Sequence, residues 1–172
     1  LAIEGAITAA NGKVTLTSDN GDVTFSAAGD VTTTSGEIEV VATSTNGDIT
    51  LAADAVSNAG DDLIDFDASL NITLSQLVTT STSSDAVNLN SANGAVIDGG
   101  GANTDVSVAN GRLVITAETG VGNGAGVNGG TSGTSATSTA AATHRRSGSS
   151  GSRGSLPLCI PPDMAACQSA LS

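Results

Sequence analysis

The chain has 172 residues and a formal net charge of −12, with 38% apolar residues but no Trp, no Tyr and only two Phe. The apolar fraction argues against a fully disordered chain, and the shortage of large rings excludes a core built on the side chains that bury most area. Up to Gly122 the only bases are Lys13 and Arg112, against 16 acids. A body so acidic repels nucleic acid and anionic membranes, and attracts divalent cations.

No apolar run reaches the length of about 18 residues that a membrane-spanning helix needs, so no membrane insertion is expected. The chain starts without Met and without a signal-peptide pattern, and reads as a piece of something longer.

From the N-terminus a short unit recurs. It is written "NGKVTLTS" (11–18), "NGDVTFSA" (20–27), "AGDVTTTS" (28–35), "SGEIEVVA" (35–42) and "NGDITLAA" (46–53). Looser copies are "SLNITLSQ" (69–76), "DAVNLNSA" (85–92), "NTDVSVAN" (103–110) and "NGRLVITA" (110–117). Each has a turn residue, a polar residue, then the apolar–polar alternation of a strand. Val14 and Leu16 fall on one face and Thr15 and Thr17 on the other; Val23/Phe25, Ile38/Val40 and Ile49/Leu51 repeat the pattern. Asn-Gly is expected to supply a positive φ in the turn.

Two arrangements use such units: an antiparallel meander of hairpins, or a parallel β-solenoid with one unit per side of a coil. Three units make a coil of about two dozen residues, with coils stacking at ~4.8 Å. An aliphatic, aromatic-poor interior favours the solenoid. Up to Gly122 the arithmetic gives about five coils, or roughly 24 Å of rod. In this reading Asn46-Gly47 form a corner, Asp48 and Thr50 face water, and Val23 lies beneath Ile49, 26 residues later.

The stretch "AGDDLIDFDASLNITL" (59–74) alternates from Ile64 through Phe66, Ala68, Leu70 and Ile72 to Leu74. Asp61, Asp65 and Asp67 then share the solvent side. Clustered carboxylates are hard oxygen ligands, so these three are candidate calcium ligands. The same acids on a solvated strand face would oppose edge-to-edge aggregation. The register departs from the tandem calcium-binding nonapeptide, because no residue separates Asp62 from Leu63.

Catalysis is not expected. Asp61 and Asp62 offer an acid and a base for sugar chemistry, but the body has no aromatic platform and no His. A nucleophilic triad needs a positioned His, and His144 sits beside Arg145-Arg146 in a Gly/Ser-rich stretch. The Gly-rich "IDGGGANTD" (97–105) lacks the Lys-Ser/Thr ending of a phosphate loop and reads as a wide turn. Flat Thr ladders suit ice binding; Thr15-x-Thr17 and Thr32-x-Thr34 fit, but other units offer one Thr each, as at Thr24, Thr50 and Thr73.

Beyond the repeat region 1–122, residues 123–155 have the composition of a flexible linker. Residues 156–172 contain one short helix candidate (163–171) and both cysteines, Cys159 and Cys167, too few ligands for a zinc site.

The units "NGDVTFSAAGDVTTTSGEIEVVATSTNGDITLAADAV" and "GAVIDGGGANTDVSVANGRLVITAETGVG" (94–122) resemble the shaft repeats of large bacterial filamentous-haemagglutinin-like adhesins. The resemblance covers residues 1–122. It implies an all-β, right-handed parallel β-helix, exported and extended from the bacterial outer-membrane surface. It implies no catalytic residues; no cofactor is expected, and calcium is a candidate only through the Asp61, Asp65 and Asp67 cluster. Host-cell or matrix contact would run through other parts of the full protein, and flanking solenoid coils would be the immediate partners. A fragment with both coil ends bare is expected to fray or aggregate.

Overall fold

A computed structural model describes residues 1–122, 129–130 and 137–140. The described residues form strands and turns with no helix, and the strands build three six-stranded sheets. The first sheet stacks β1 (Ala2–Ile3), β4 (Val23–Phe25), β7 (Ile49–Leu51), β10 (Ile72–Leu74), β13 (Ala95–Asp98) and β16 (Gly120–Val121). The second stacks β2 (Ile7–Asn11), β5 (Val31–Ser35), β8 (Val56–Asn58), β11 (Gln76–Thr79), β14 (Val106–Val108) and β17 (Gly129–Gly130). The third stacks β3 (Val14–Ser18), β6 (Ile38–Ala42), β9 (Ile64–Ala68), β12 (Val87–Ser91), β15 (Leu113–Ala117) and β18 (Thr137–Ala140).

Each strand pairs in parallel with the strand three places on, so three successive strands make one coil. Residues 1–122 hold five full coils, β1–β3 through β13–β15, and open a sixth with β16. The chain is therefore a parallel β-solenoid and not a hairpin meander. The expected register is observed: Val23 pairs with Ile49 and Phe25 with Leu51. Within the segment read as linker, β17 and β18 continue the second and third sheets. The helix candidate and both cysteines lie outside the described residues.

Alternation sets the interior. On the third sheet Val14, Ile38, Ile64, Val87 and Leu113 form one column, and Leu16, Val40, Phe66, Leu89 and Ile115 the next. From the second coil onward these are buried, each contributing about 1.5–3 kcal/mol when fully removed from water. Ile7, Val14 and Leu16 of the first coil are only partly buried, because one edge of that coil carries no neighbour. The two Phe rings, Phe25 and Phe66, stack inside at 6.3 Å and 12°. The alternation from Ile64 to Leu74 is not one strand: it crosses a corner at 69–71 between β9 and β10.

The glycines serve the corners differently from expectation. Gly12 in "NGKVT" does have a positive φ of 113°, but Gly21 and Gly47 in the two "NGD" units do not. What several corner glycines share is close approach to the coil below. A Cβ at Gly36 would run into the Gly12 carbonyl, and one at Gly29 into the Ile3 carbonyl.

Of the 97–105 segment, Ile97 and Asp98 end β13 and residues 99–105 form the expected wide turn, with an added anchor. Only Ser75 separates β10 from β11, so the fourth coil has a tight corner there. The longer loop of the fifth coil reaches past it, and Asn103 Nδ2 donates to Asp54 Oδ1 of the third coil at 3.2 Å.

Candidate functional site

Sheet register brings charged side chains together on the outer face of the third sheet. Thr15, Glu39, Asp65, Asn88 and Val114 form one outward column, and Thr17, Val41, Asp67, Asn90 and Thr116 the next. Glu37 and Lys13 flank the first column at the corner where each coil enters this sheet.

Carboxylate oxygens of Glu37, Glu39 and Asp65 lie within 4.8 Å of one another, and this is the single such acidic group among the described residues. The Lys13 ammonium lies 3.2 Å from Glu37 Oε1 and 3.1 Å from Glu39 Oε2. Thr15 Oγ1 also donates to Glu39 Oε2, at 3.2 Å. Lys13 is thus a counter-ion that the chain supplies to its own acids. Its pKa is raised, chiefly by the hydrogen bond to Glu39. The Asp65 carboxyl is raised by burial; the Asn88 hydrogen bond lowers it in part, and Asp67, Glu37 and Glu39 add repulsion.

Of the three calcium candidates, Asp65 joins this group, while its partners there are Glu37 and Glu39. Asp67 lies on the same sheet one column over, where its Oδ1 accepts from Asn90 Nδ2 at 2.8 Å. The matching bond from Asn88 Nδ2 to Asp65 Oδ1 is also 2.8 Å. Asp61 is exposed in the turn that precedes β9. Asp62 accepts the Leu63 N–H at 2.8 Å and so serves that turn. Sequence reading missed Glu37 and Glu39. The signal was present: the offset of 26 that joins Val23 to Ile49 also joins Glu39 to Asp65.

A second polar array runs up the corner into the first sheet. Asp22 Oδ1 accepts the Asp48 N–H at 3.0 Å. Asp48 Oδ1 accepts the Asn71 N–H at 2.7 Å and its Nδ2 at 3.1 Å, and Asn71 Oδ1 accepts the Ala95 N–H at 3.0 Å. Asp30 does the same at the next corner, accepting the Val56 N–H at 2.9 Å. The expectation that Asp48 simply faces water is therefore corrected. In a stacked solenoid the corner amide of each coil points toward the neighbouring coil, and an Asp or Asn one coil below satisfies it.

Two recesses on the surface of the described residues are shallow. One is lined by Asp19, Asn20, Gly21 and Thr43–Asn46, the other by Val41, Thr43, Asp67, Ser69, Asn90 and Ala92 among others. Neither brings an acid and a base together around an enclosed space.

The fold and outer face define a parallel β-solenoid with an acidic, Asn- and Thr-lined surface. Comparison with protein-family models, curated proteins and solved structures returned no match.

Proposed function

We propose that residues 1–122 are a shaft segment of an exported, adhesin-like bacterial surface protein. Its job is extension: it carries a binding tip, or an acidic Thr- and Asn-rich surface, away from the cell. The observation that carries this reading is uninterrupted stacking. Each coil offers the next the same three strand edges, aliphatic columns run through the stack with Ser57 as a break in one of them, and Asp22, Asp48 and Asn71 tie successive coils at one corner. Such an element lengthens by adding coils, without redesign of its core. The body charge of −14, from 16 acids and two bases, fits a spacer that stays dispersed in solution.

Immunogold labelling of the producing bacterium, with antibody raised to residues 1–122, tests the proposal. Label at a fixed stand-off from the outer membrane is expected. Label confined to the cell interior would remove the reading.

A calcium-dependent binding module is the second reading, favoured by the meeting of Glu37, Glu39 and Asp65. Lys13 already pairs with two of these acids and offsets one of their charges, which makes it the weaker reading. A thermal melt with calcium and with chelator separates the two: the shaft predicts no shift, and the module predicts stabilisation by calcium.

A further inference from the structure

We propose that Asn20-Gly21 is a site of spontaneous backbone modification, deamidating to aspartate and isoaspartate while the four other Asn-Gly corners within residues 1–122 are protected by the fold. The reaction is intramolecular. The Gly21 backbone nitrogen, on losing its proton, attacks Asn20 Cγ. The new N–C bond forms as the Cγ–NH2 bond breaks, and ammonia leaves. Water then opens the cyclic imide at either carbonyl. The net change is amide plus water to carboxylic acid plus ammonia, and no other reactant is needed.

Three conditions favour it: a solvent-exposed Asn side chain, a following N–H free of hydrogen bonds, and a glycine with room to rotate. The five Asn-Gly pairs within residues 1–122 differ in these. At Asn11-Gly12 the Gly12 N–H donates to the Ser35 carbonyl at 3.2 Å, and Asn11 Oδ1 accepts from Ser35 Oγ at 3.1 Å. At Asn46-Gly47 the Gly47 N–H donates to the Ser44 carbonyl at 2.9 Å, and Gly47 is packed against Ala42. At Asn93-Gly94 the Asn93 Nδ2 donates to the Ser69 carbonyl at 3.1 Å, and Gly94 is wedged on Leu70. At Asn110-Gly111 the glycine is buried against Ala86 and Ser81. At Asn20-Gly21 the Asn is exposed, no backbone bond holds the Gly21 N–H, and nothing lies within 4 Å of the glycine's Cβ position.

Modification here reaches the corner array. Asp22, two residues on, is the first rung of that array and accepts the Asp48 N–H. An isoaspartate at position 20 inserts a methylene into the main chain and adds a negative charge between Asp19 and Asp22. The modification therefore acts where the second coil is tied to the third.

The test is peptide mapping by mass spectrometry of the folded full chain, aged in mildly alkaline buffer, beside the same chain aged in urea. In the folded chain the Asn20 peptide should convert several-fold faster than those holding Asn46, Asn93 and Asn110. In urea the five rates should converge. Gly21→Ala, a substitution the open site accepts, should slow conversion at Asn20 several-fold and leave the other pairs unchanged. Equal rates at Asn20 and Asn46 in the folded chain, or the same ranking in urea as in buffer, would overturn the proposal.

Discussion

At the scale of single residues, the corner acceptors are the part of the structure that composition hides. Asp48 sits in a motif whose alternation marks it as solvent-facing, yet its carboxylate takes two donors from Asn71. Hydrogen bonds to a charged group contribute about 1.5–3 kcal/mol. Asp48→Ala should therefore lower the urea-unfolding free energy by about 1.5–3 kcal/mol, whereas Asp48→Asn should keep most of it. A parent-like value for the alanine variant would show that water serves the Asn71 amide equally well. Glycines separate by the same logic. Gly36→Ala drives a methyl into the Gly12 backbone and should cost about 1–3 kcal/mol. Gly5→Ala meets nothing within 4 Å and should stay within about 0.5 kcal/mol. Ser57 adds a converse case. Its hydroxyl is buried without a partner in the column between Val31 and Leu77. An unsatisfied buried hydroxyl costs about 1–3 kcal/mol, so Ser57→Ala should raise the urea midpoint.

At the scale of strands and sheets, the sequence was legible where successive coils stayed near two dozen residues apart and opaque where that spacing changed sharply. The third-sheet units align by eye because their apolar columns are unbroken. β8 is not legible as a repeat unit because Ser57 occupies its inward position. On the second sheet Ser57 pairs with Leu77, 20 residues later, and Leu77 with Val106, 29 later. No fixed period finds those partners. The acidic group shows a different limit. Faces can be read from a period of two, but which acids meet across coils depends on register, and the offset of 26 read at Val23 and Ile49 does not hold for every coil, as Asp65 and Asn88 show with 23. Glu39 and Asp65 are far apart in sequence and adjacent on the surface.

The same sheet face gives a pH signature. Asp65 is raised above its ordinary 3.8, so the folded state holds that proton more tightly than the unfolded chain does. Its stabilising contribution is full below pH 3.8 and is lost as pH rises through the raised value. Lys13 is raised above 10.5, so its contribution is present below that pH and is lost as pH climbs through the folded value. Urea midpoints measured against pH should show the acid-side change diminished in Asp65→Asn and the alkaline loss diminished in Lys13→Met. The Lys13 side chain is 42% exposed, so added salt should shrink the alkaline effect. An alkaline limb unchanged in Lys13→Met would mean that the pair is fully screened.

At the scale of the whole molecule, the coils stack in parallel, each carrying the same position on the same face. The most direct measurement is disulfide trapping along the outward column of the first sheet, where Thr24 pairs with Thr50 and Thr50 with Thr73. Residues 1–122 contain no cysteine, so a background with Cys159 and Cys167 replaced by Ser reports engineered pairs alone. Adjacent parallel strands lie about 4.8 Å apart, within disulfide reach, whereas strands two coils apart lie about 9.6 Å apart, beyond it. Thr24→Cys with Thr50→Cys, and Thr50→Cys with Thr73→Cys, should cross-link rapidly under mild oxidation, while Thr24→Cys with Thr73→Cys should not. Failure of both adjacent pairs, or equal trapping of the 24–73 pair, would contradict the stacked solenoid and the shaft function built on it.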